Sequence, residues 1–149
     1  LKAVRQICDE LDVLMIADEV ITGFGRTGRW FACEHDNVVP DLMSTAKGIT
    51  SGYIPLGAVM FNDRIAAVLK DKGGELAHGY TYSGHPVCAA VALENIRLLE
   101  EEGIVERART DTGPYLAQKW KALGEHPLVG EARILGMVGA ESGPIAVTR

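Results

Sequence analysis

Apolar residues recur at helical spacing in two parts of the chain. At the start they stand three or four positions apart with polar residues between them, which predicts a surface helix that packs by one apolar stripe. A longer helix is expected to begin at Pro86, a residue suited to a first helical turn, and to stop at Gly103. The stripe of the first helix consists of Leu1, Val4, Ile7 and Leu11. The early face of the second, expected to be buried, consists of Val87, Ala90, Val91 and Ile96.

Short apolar runs between these helices predict strands. Val13 to Ile16 is continuously apolar, as in a strand buried on both faces of a parallel sheet. Two more strands are expected at Asp41 to Ser44 and at Leu56 to Phe61, and the glycine-containing segments 22–30 and 73–85 are expected to be loops. The alternation of helices and strands predicts an α/β fold.

Three further elements are expected. Asp63 is expected to cap a short helix that runs through Leu69, and another helix with Tyr115 is expected to be interrupted upstream by Gly113 and Pro114. Ile134 to Ala140 predicts a last strand, and the tail of the chain is expected to belong to a second domain.

Composition and charge narrow the classes of function. The chain has 149 residues, 47% of them apolar, which is enough for one compact core. Its formal net charge of -5 argues against a nucleic-acid partner, because such proteins normally present a clustered basic face. No apolar run approaches the roughly 20 residues that span a bilayer, so no membrane partner is expected. Small molecules and other subunits are the expected partners.

Three scattered cysteines, Cys8, Cys33 and Cys88, contain no CxxC pair and predict neither a disulfide framework nor a metal site. A reducing, cytoplasmic setting fits this pattern. The chain opens at Leu1 inside the first predicted helix and ends at Arg149 after a predicted strand, so we expect an internal fragment.

Asp18 is the first candidate for chemistry. It follows the first predicted strand, and open α/β sheets bind ligands outside the carboxyl ends of their strands. An ordinary strand-terminal aspartate that caps a loop is the alternative. Together with Glu19 it also resembles the acidic end of an ATPase strand, but that interpretation requires a GxxxxGK[ST] phosphate loop, and the sequence has none.

The segment Gly23 to Gly28 matches GxGxxG, the pattern of a dinucleotide-binding turn. A nicotinamide-dependent oxidoreductase is therefore an alternative. It would require a regular helix directly after Gly28, with its amino end facing the pyrophosphate, and the run from Arg29 to Pro40 is poorly suited to one.

Lys47 is the third candidate. It stands just past a predicted strand between small neighbours, Ala46 and Gly48. Most lysines in loops are simply solvated. Apolar surroundings would instead lower the proton affinity of its amine and make it a nucleophile toward aldehydes.

Three linked segments resemble the class III aminotransferases of fold type I. They are 17–28 (ADEVITGFGRTG), 40–57 (PDLMSTAKGITSGYIPLG) and 78–86 (HGYTYSGHP), in the family's order and spacing. The resemblance implies part of a large domain at 1–103, with a mostly parallel sheet and helices on both faces, and the start of a small C-terminal α/β domain at 104–149.

The resemblance implies pyridoxal 5'-phosphate as the cofactor. Lys47 would carry it as an imine and act as a base, and Asp18 would pair with its ring nitrogen. Val20 would cover one face of the ring, and Thr81 would reach across a homodimer interface to the cofactor phosphate. The glycine-rich 23–28 segment would then be a structural loop.

The TYSGHP segment and the DTGPYL segment at 111–116 look most like the branch that transfers amino groups from omega-amino acids or diamines to pyruvate. Small-molecule amino donors and 2-oxo acids are the substrates this implies. The family's remaining phosphate-binding and ring-stacking residues precede Leu1, so the chain alone is expected to be inactive or incomplete. Ser142 to Arg149 departs from the family pattern.

Overall fold

The computed structural model describes residues 1–72, 74 and 76–143. Residues 144–149, the end of the segment that departs from the family pattern, lie outside the described residues. Positions 73 and 75 of the predicted 73–85 loop also lie outside them. The helices are α1 (Lys2–Glu10), α2 (Asp63–Lys72), α3 (Pro86–Glu101), α4 (Ile104–Arg107) and α5 (Gly113–Leu123). The strands are β1 (Ile16–Asp18), β2 (Leu42–Thr45), β3 (Ala58–Phe61), β4 (Glu131–Leu135) and β5 (Val138–Ser142).

The first three strands form one sheet in the order β1-β2-β3. β1 and β2 are parallel, with Ile16 opposite Leu42 and Asp18 opposite Ser44. β3 joins the other side of β2 in the antiparallel direction. The predicted strands are confirmed in place, although β1 begins at the last apolar residue of its run and includes Asp18 itself.

Only one face of this sheet is well packed in the described residues. A cluster of Met15, Cys33, Val38 and Met43 is buried there, and Cys8 of α1 packs against it. The prediction that β1 is buried on both faces is wrong, because Ile16 is 67% exposed on the opposite face.

The predicted apolar stripes of α1 and α3 are less buried than expected. All four stripe residues of the first helix are about half exposed or more, while the side that carries Cys8 and Arg5 packs inward. On α3 the fully buried residues are Ala92 and Leu99; of the predicted face, Val91 and Ile96 are half-buried, and Val87 and Ala90 are exposed. The burial prediction is therefore wrong for the first stripe and for Val87 and Ala90, because no described element covers them.

The tail differs from its prediction in two ways. The helix is not interrupted at Gly113, since α4 continues through a π-helical turn at Ala108–Thr112 directly into α5. Pro114 is the second residue of α5 and follows this π-helical turn directly, so the proline does not end the helix. The single predicted strand is a hairpin, in which β4 and β5 pair around a turn at Gly136.

Asp41 connects α1, the residue before β1 and the start of α2 by hydrogen bonds. Its Oδ2 accepts the backbone N–H of Met15 and an N–H of Arg5, each at 2.8 Å. Its Oδ1 accepts N–H groups of Asn62 at 3.1 Å and Arg64 at 2.9 Å. The Met15 hydrogen bond, followed by that of Arg5, holds the pKa of this buried carboxyl far below its ordinary value. The carboxylate is therefore charged and fully paired.

Asp41→Asn is expected to lower the free energy of unfolding by about 2–3 kcal/mol, because charged hydrogen bonds are lost from a buried site. Urea denaturation at neutral pH measures this, with exposed Asp71→Asn as the matched control. The folded pKa is depressed, so the contribution is present above the unfolded pKa of about 4 and is lost as the pH falls below it. Equal acid sensitivity in wild type and Asp41→Asn would contradict this account.

Candidate active site

The site lies at the carboxyl edge of the parallel pair β1–β2. Asp18 is the last residue of β1 and stands opposite Ser44. The pairing continues one step further, since the backbone N–H of Glu19 donates to the Ser44 carbonyl at 2.9 Å. Lys47 follows β2 after only one intervening residue. The fold therefore brings the two main candidate residues to the same edge, as parallel pairing requires.

The Asp18 carboxylate is exposed at this edge and is oriented by its own backbone. Its Oδ1 accepts the N–H of Val20 at 3.0 Å. Among the described residues, no hydrogen bond reaches Oδ2. Asp18 thus presents a fixed carboxylate with one oxygen available for a cationic N–H group.

Lys47 begins a short 3-10 turn, Lys47–Ile49, with a left-handed backbone (φ +42°) that is unusual for a residue with a side chain. Gly48, Ile49 and Thr50 are buried, but the Lys47 side chain is exposed. The expectation of a desolvated amine is therefore wrong for this chain. The reason is geometric: the side chain borders an open cleft of ≈ 590 Å³ whose other lining residues all come from the loop 50–57.

Thr81 lies on a neighbouring loop and is exposed. The turn is closed by Tyr80 and Ser83, whose backbone and side-chain atoms make two reciprocal 2.9 Å hydrogen bonds. A second cleft, of ≈ 610 Å³, lies between this loop and the segment 55–57, which also lines the cleft beside Lys47. The segment 55–57 thus lies beside both Lys47 and the Thr81 loop. The role of Thr81 across a subunit interface stays a prediction.

Val20 is half-buried just beyond the strand end. Its backbone N–H donates a hydrogen bond to the Asp18 carboxylate, a contact that the sequence did not reveal. Whether its side chain covers a ring stays a prediction.

Glu19 was not recognised as a structural anchor from the sequence. Its buried carboxylate accepts the Thr22 hydroxyl and the backbone N–H groups of Ala32 at 3.0 Å and Cys33 at 2.8 Å. Burial, together with this carboxylate, raises the pKa of the Cys33 thiol to about 11. Glu19 therefore closes the loop after β1 and has no exposed oxygen with which to prepare a water, so the ATPase interpretation fails.

The GxGxxG loop packs against the tail of the chain. A Cβ on Gly28, which has φ +82°, would lie 3.0 Å from the Cα of Arg109. The Arg26 carbonyl accepts the N–H of Met137 at 2.7 Å. The segment after Gly28 forms only a 3-10 helix, Ala32–Asp36, so the helix that dinucleotide binding requires is absent there. The structural role expected for this loop is confirmed, and the oxidoreductase alternative is contradicted.

Asn95 of α3 is a second residue that sequence reasoning missed. Its side chain contacts the turn that follows Lys47. A signal was present, because Asn95 stands four residues after Val91 and three before Leu98, at helical spacing with both apolar residues.

Comparison with known proteins agrees with this geometry. The sequence matches the family described as aminotransferase class-III over residues 1–144. It is 59% identical over 137 residues to putrescine-pyruvate aminotransferase of Pseudomonas aeruginosa, covering 92% of this chain and 30% of that protein. It is 44% identical over 141 residues to diaminobutyrate-2-oxoglutarate transaminase of Halomonas elongata, with coverage of 92% and 30%.

A solved structure shows the same fold. The crystal structure of an (S)-enantioselective omega-transaminase from Thermomicrobium roseum matches with a TM-score of 0.89 at 46% identity, covering 95% of this chain and 32% of that one. The chain belongs to the class III aminotransferase family. It spans about 30% of the length of the curated relatives given above. The predicted α/β fold, as part of the fold type I large domain, is confirmed, while the boundary between 103 and 104 stays a prediction.

Proposed function

We propose that the protein carrying this chain is a pyridoxal-phosphate-dependent transaminase. It moves an amino group from an omega-amino acid, amine or diamine to a 2-oxo acid such as pyruvate. The observation that carries the proposal is the placement of Asp18 and Lys47 at one edge of the parallel pair. Relatives named as putrescine-pyruvate and diaminobutyrate-2-oxoglutarate transaminases support a diamine donor and a 2-oxo acid acceptor.

The residues at this edge fit pyridoxal phosphate. Lys47 offers an accessible primary amine, which can bond covalently to an aldehyde. Asp18 offers a carboxylate oxygen for a protonated pyridine nitrogen, and it is held in place by the N–H of Val20. The Val20 side chain offers an apolar surface to one face of a ring.

When bound, the cofactor supplies an electron sink for the substrate carbon that bears the amino group. Asp18 would keep the ring nitrogen protonated, because its negative charge stabilises the adjacent cation. Lys47 would hold the cofactor through Nζ. Once free, the same Nζ would take and move the proton of the substrate carbon that bears the amino group. One side chain thus serves as anchor and as base.

A homodimer completes the proposed site. The exposed hydroxyl of Thr81 can donate a hydrogen bond to a phosphate, and we propose that it serves the cofactor of the partner subunit. Twofold dimers are the commonest symmetric assemblies. A cytoplasmic location belongs to the same proposal and is supported by the three unpaired cysteines. Among the described residues, no helix combines the length and the apolar character needed to cross a membrane.

The test is amino transfer by the natural protein that contains this chain. With pyridoxal phosphate, putrescine and pyruvate, we expect alanine to form as pyruvate disappears, and no alanine to form without cofactor. The matched control replaces pyridoxal phosphate with NAD⁺. Amine consumption that requires NAD⁺ and yields no alanine would contradict the proposal.

For the 149 residues alone, the exposure of Lys47 favours a second outcome, a folded unit without turnover. The cleft beside Lys47 is open to solvent, so water is not excluded from the place where the amine would react. The same assay on the isolated chain measures this. Turnover equal to that of the natural protein would contradict it.

A further inference from the structure

A single side chain of α3 holds the turn that presents Lys47. The Nδ2 of Asn95 donates to the carbonyl oxygens of Gly48 at 2.9 Å and Ile49 at 3.1 Å. Its Oδ1 accepts the hydroxyl of Ser51 at 2.7 Å. Both the donor and the acceptor group of the amide are therefore directed at the residues that directly follow Lys47.

This turn needs support from outside because its backbone is unfavourable. Lys47 has φ +42° and Ser51 has φ +50°, both in the left-handed region that residues with a Cβ rarely adopt. Such conformations persist only where the surrounding structure enforces them, and they are concentrated at functional sites. Asn95 contacts Gly48 and Ile49, which lie between these two residues, and Ser51 itself.

The turn also packs closely against the glycine-rich loop. A Cβ on Gly48 would lie 3.0 Å from the Cβ of Phe24 and 3.2 Å from the carbonyl oxygen of Gly23. The turn thus contacts both this loop and α3. Among the described residues, the loop makes only packing contacts with Gly48, whereas Asn95 reaches the turn with hydrogen bonds from another element.

We infer that Asn95 is a positioning residue for Lys47. Its amide fixes the left-handed backbone from which the Lys47 Nζ is presented to the reacting carbon, and its effect passes through the carbonyls of Gly48 and Ile49. Asparagine in a helix interior is a poor helix former, so the needs of α3 do not explain its presence. The inference rests on the function proposed for Lys47.

The experiment compares wild type with Asn95→Ala and Asn95→Asp in the natural protein, loaded with pyridoxal phosphate. Borohydride reduction and peptide mass spectrometry give the fraction of Lys47 that carries cofactor. Turnover is then expressed as kcat per labelled Lys47, and KM is measured for the amine. Leu93→Ala is the matched control, since Leu93 is 70% exposed on the same helix.

We expect kcat per labelled Lys47 to fall about tenfold in Asn95→Ala, because a small displacement of a reacting group is costly. KM should stay within about twofold, since Asn95 does not contact the substrate. Asn95→Asp keeps an acceptor for Ser51 but turns a carboxylate toward two carbonyl oxygens, so it should be impaired at least as much. Leu93→Ala should behave as wild type. A merely structural role would lower the labelled fraction and leave kcat per label unchanged.

Ser51→Ala keeps the test decisive if Asn95→Ala does not fold. It removes only the hydroxyl that orients the amide, and kcat per labelled Lys47 should fall about threefold, with little further loss when both changes are combined. One result would overturn the inference but not the proposed function: wild type is labelled at Lys47, and kcat per labelled Lys47 is unchanged in Asn95→Ala. If only Ser51→Ala folds, unchanged kcat per labelled Lys47 in that variant has the same meaning. Wild type without a label at Lys47 overturns the proposed function and the inference with it.

Discussion

Replacing Lys47 with alanine is expected to abolish amino transfer. The change removes the amine that bonds to the cofactor and the same group that moves the proton, so kcat should fall by more than about 1000-fold. Intact-mass measurement after borohydride reduction should show no added cofactor. The turnover assay with amine and pyruvate should show no alanine above background.

Lys70→Ala is the matched control for this change. Lys70 is an exposed lysine on α2, and it should keep both the covalent label and full turnover when replaced. Full turnover in Lys47→Ala would show that another group carries the chemistry.

Asp18→Asn is expected to separate binding from catalysis. The neutral amide no longer stabilises a protonated ring nitrogen, so kcat should fall by about 100- to 1000-fold, the range for losing one electrostatic group at a reacting centre. Covalent attachment at Lys47 should remain. The backbone contact should remain as well, because the asparagine oxygen can still accept the N–H of Val20. Stopped-flow absorbance with a single turnover of amine measures the slowed step.

Asp71→Asn, at an exposed position of α2, controls for loss of one negative charge and should leave turnover unchanged. An Asp18→Asn variant with normal turnover would rule out the role of the ion pair. One that loses both the label and its folded structure would assign Asp18 to stability instead.

The local elements could be predicted because each depends on nearby residues. Pro86 begins α3, and the apolar runs mark β1, β2 and β3 to within a few positions. Asp18 and Lys47 were each predicted at or just past the end of a strand, and the parallel register of β1 and β2 brings these two ends to one edge. These parts of the fold need no knowledge of distant contacts.

Burial could not be predicted in the same way. An apolar stripe indicates which side of a helix can be buried, but not whether a partner covers it. On α1 the buried side is instead chosen by the ion pair of Arg5 with Asp41, two residues 36 positions apart in the sequence. No periodicity encodes such a contact.

The supporting residues of the site were missed for a related reason. Glu19 and Asn95 act through hydrogen bonds to backbone atoms of short 3-10 turns whose position the sequence does not specify. The interruption expected at Pro114 is not observed, because a π-helical turn directly before α5 accommodates the proline within a continuous helix. In each case the deciding partner is a backbone group and not a side-chain pattern.

The central claim is that Lys47 bonds covalently to pyridoxal phosphate. The most direct measurement adds the cofactor to the natural protein that contains this chain, reduces with borohydride and locates the modified peptide by mass spectrometry. We expect one stoichiometric label on Lys47, absent in Lys47→Ala and retained in Lys70→Ala. No label, or a label spread over several exposed lysines, would contradict the proposed function.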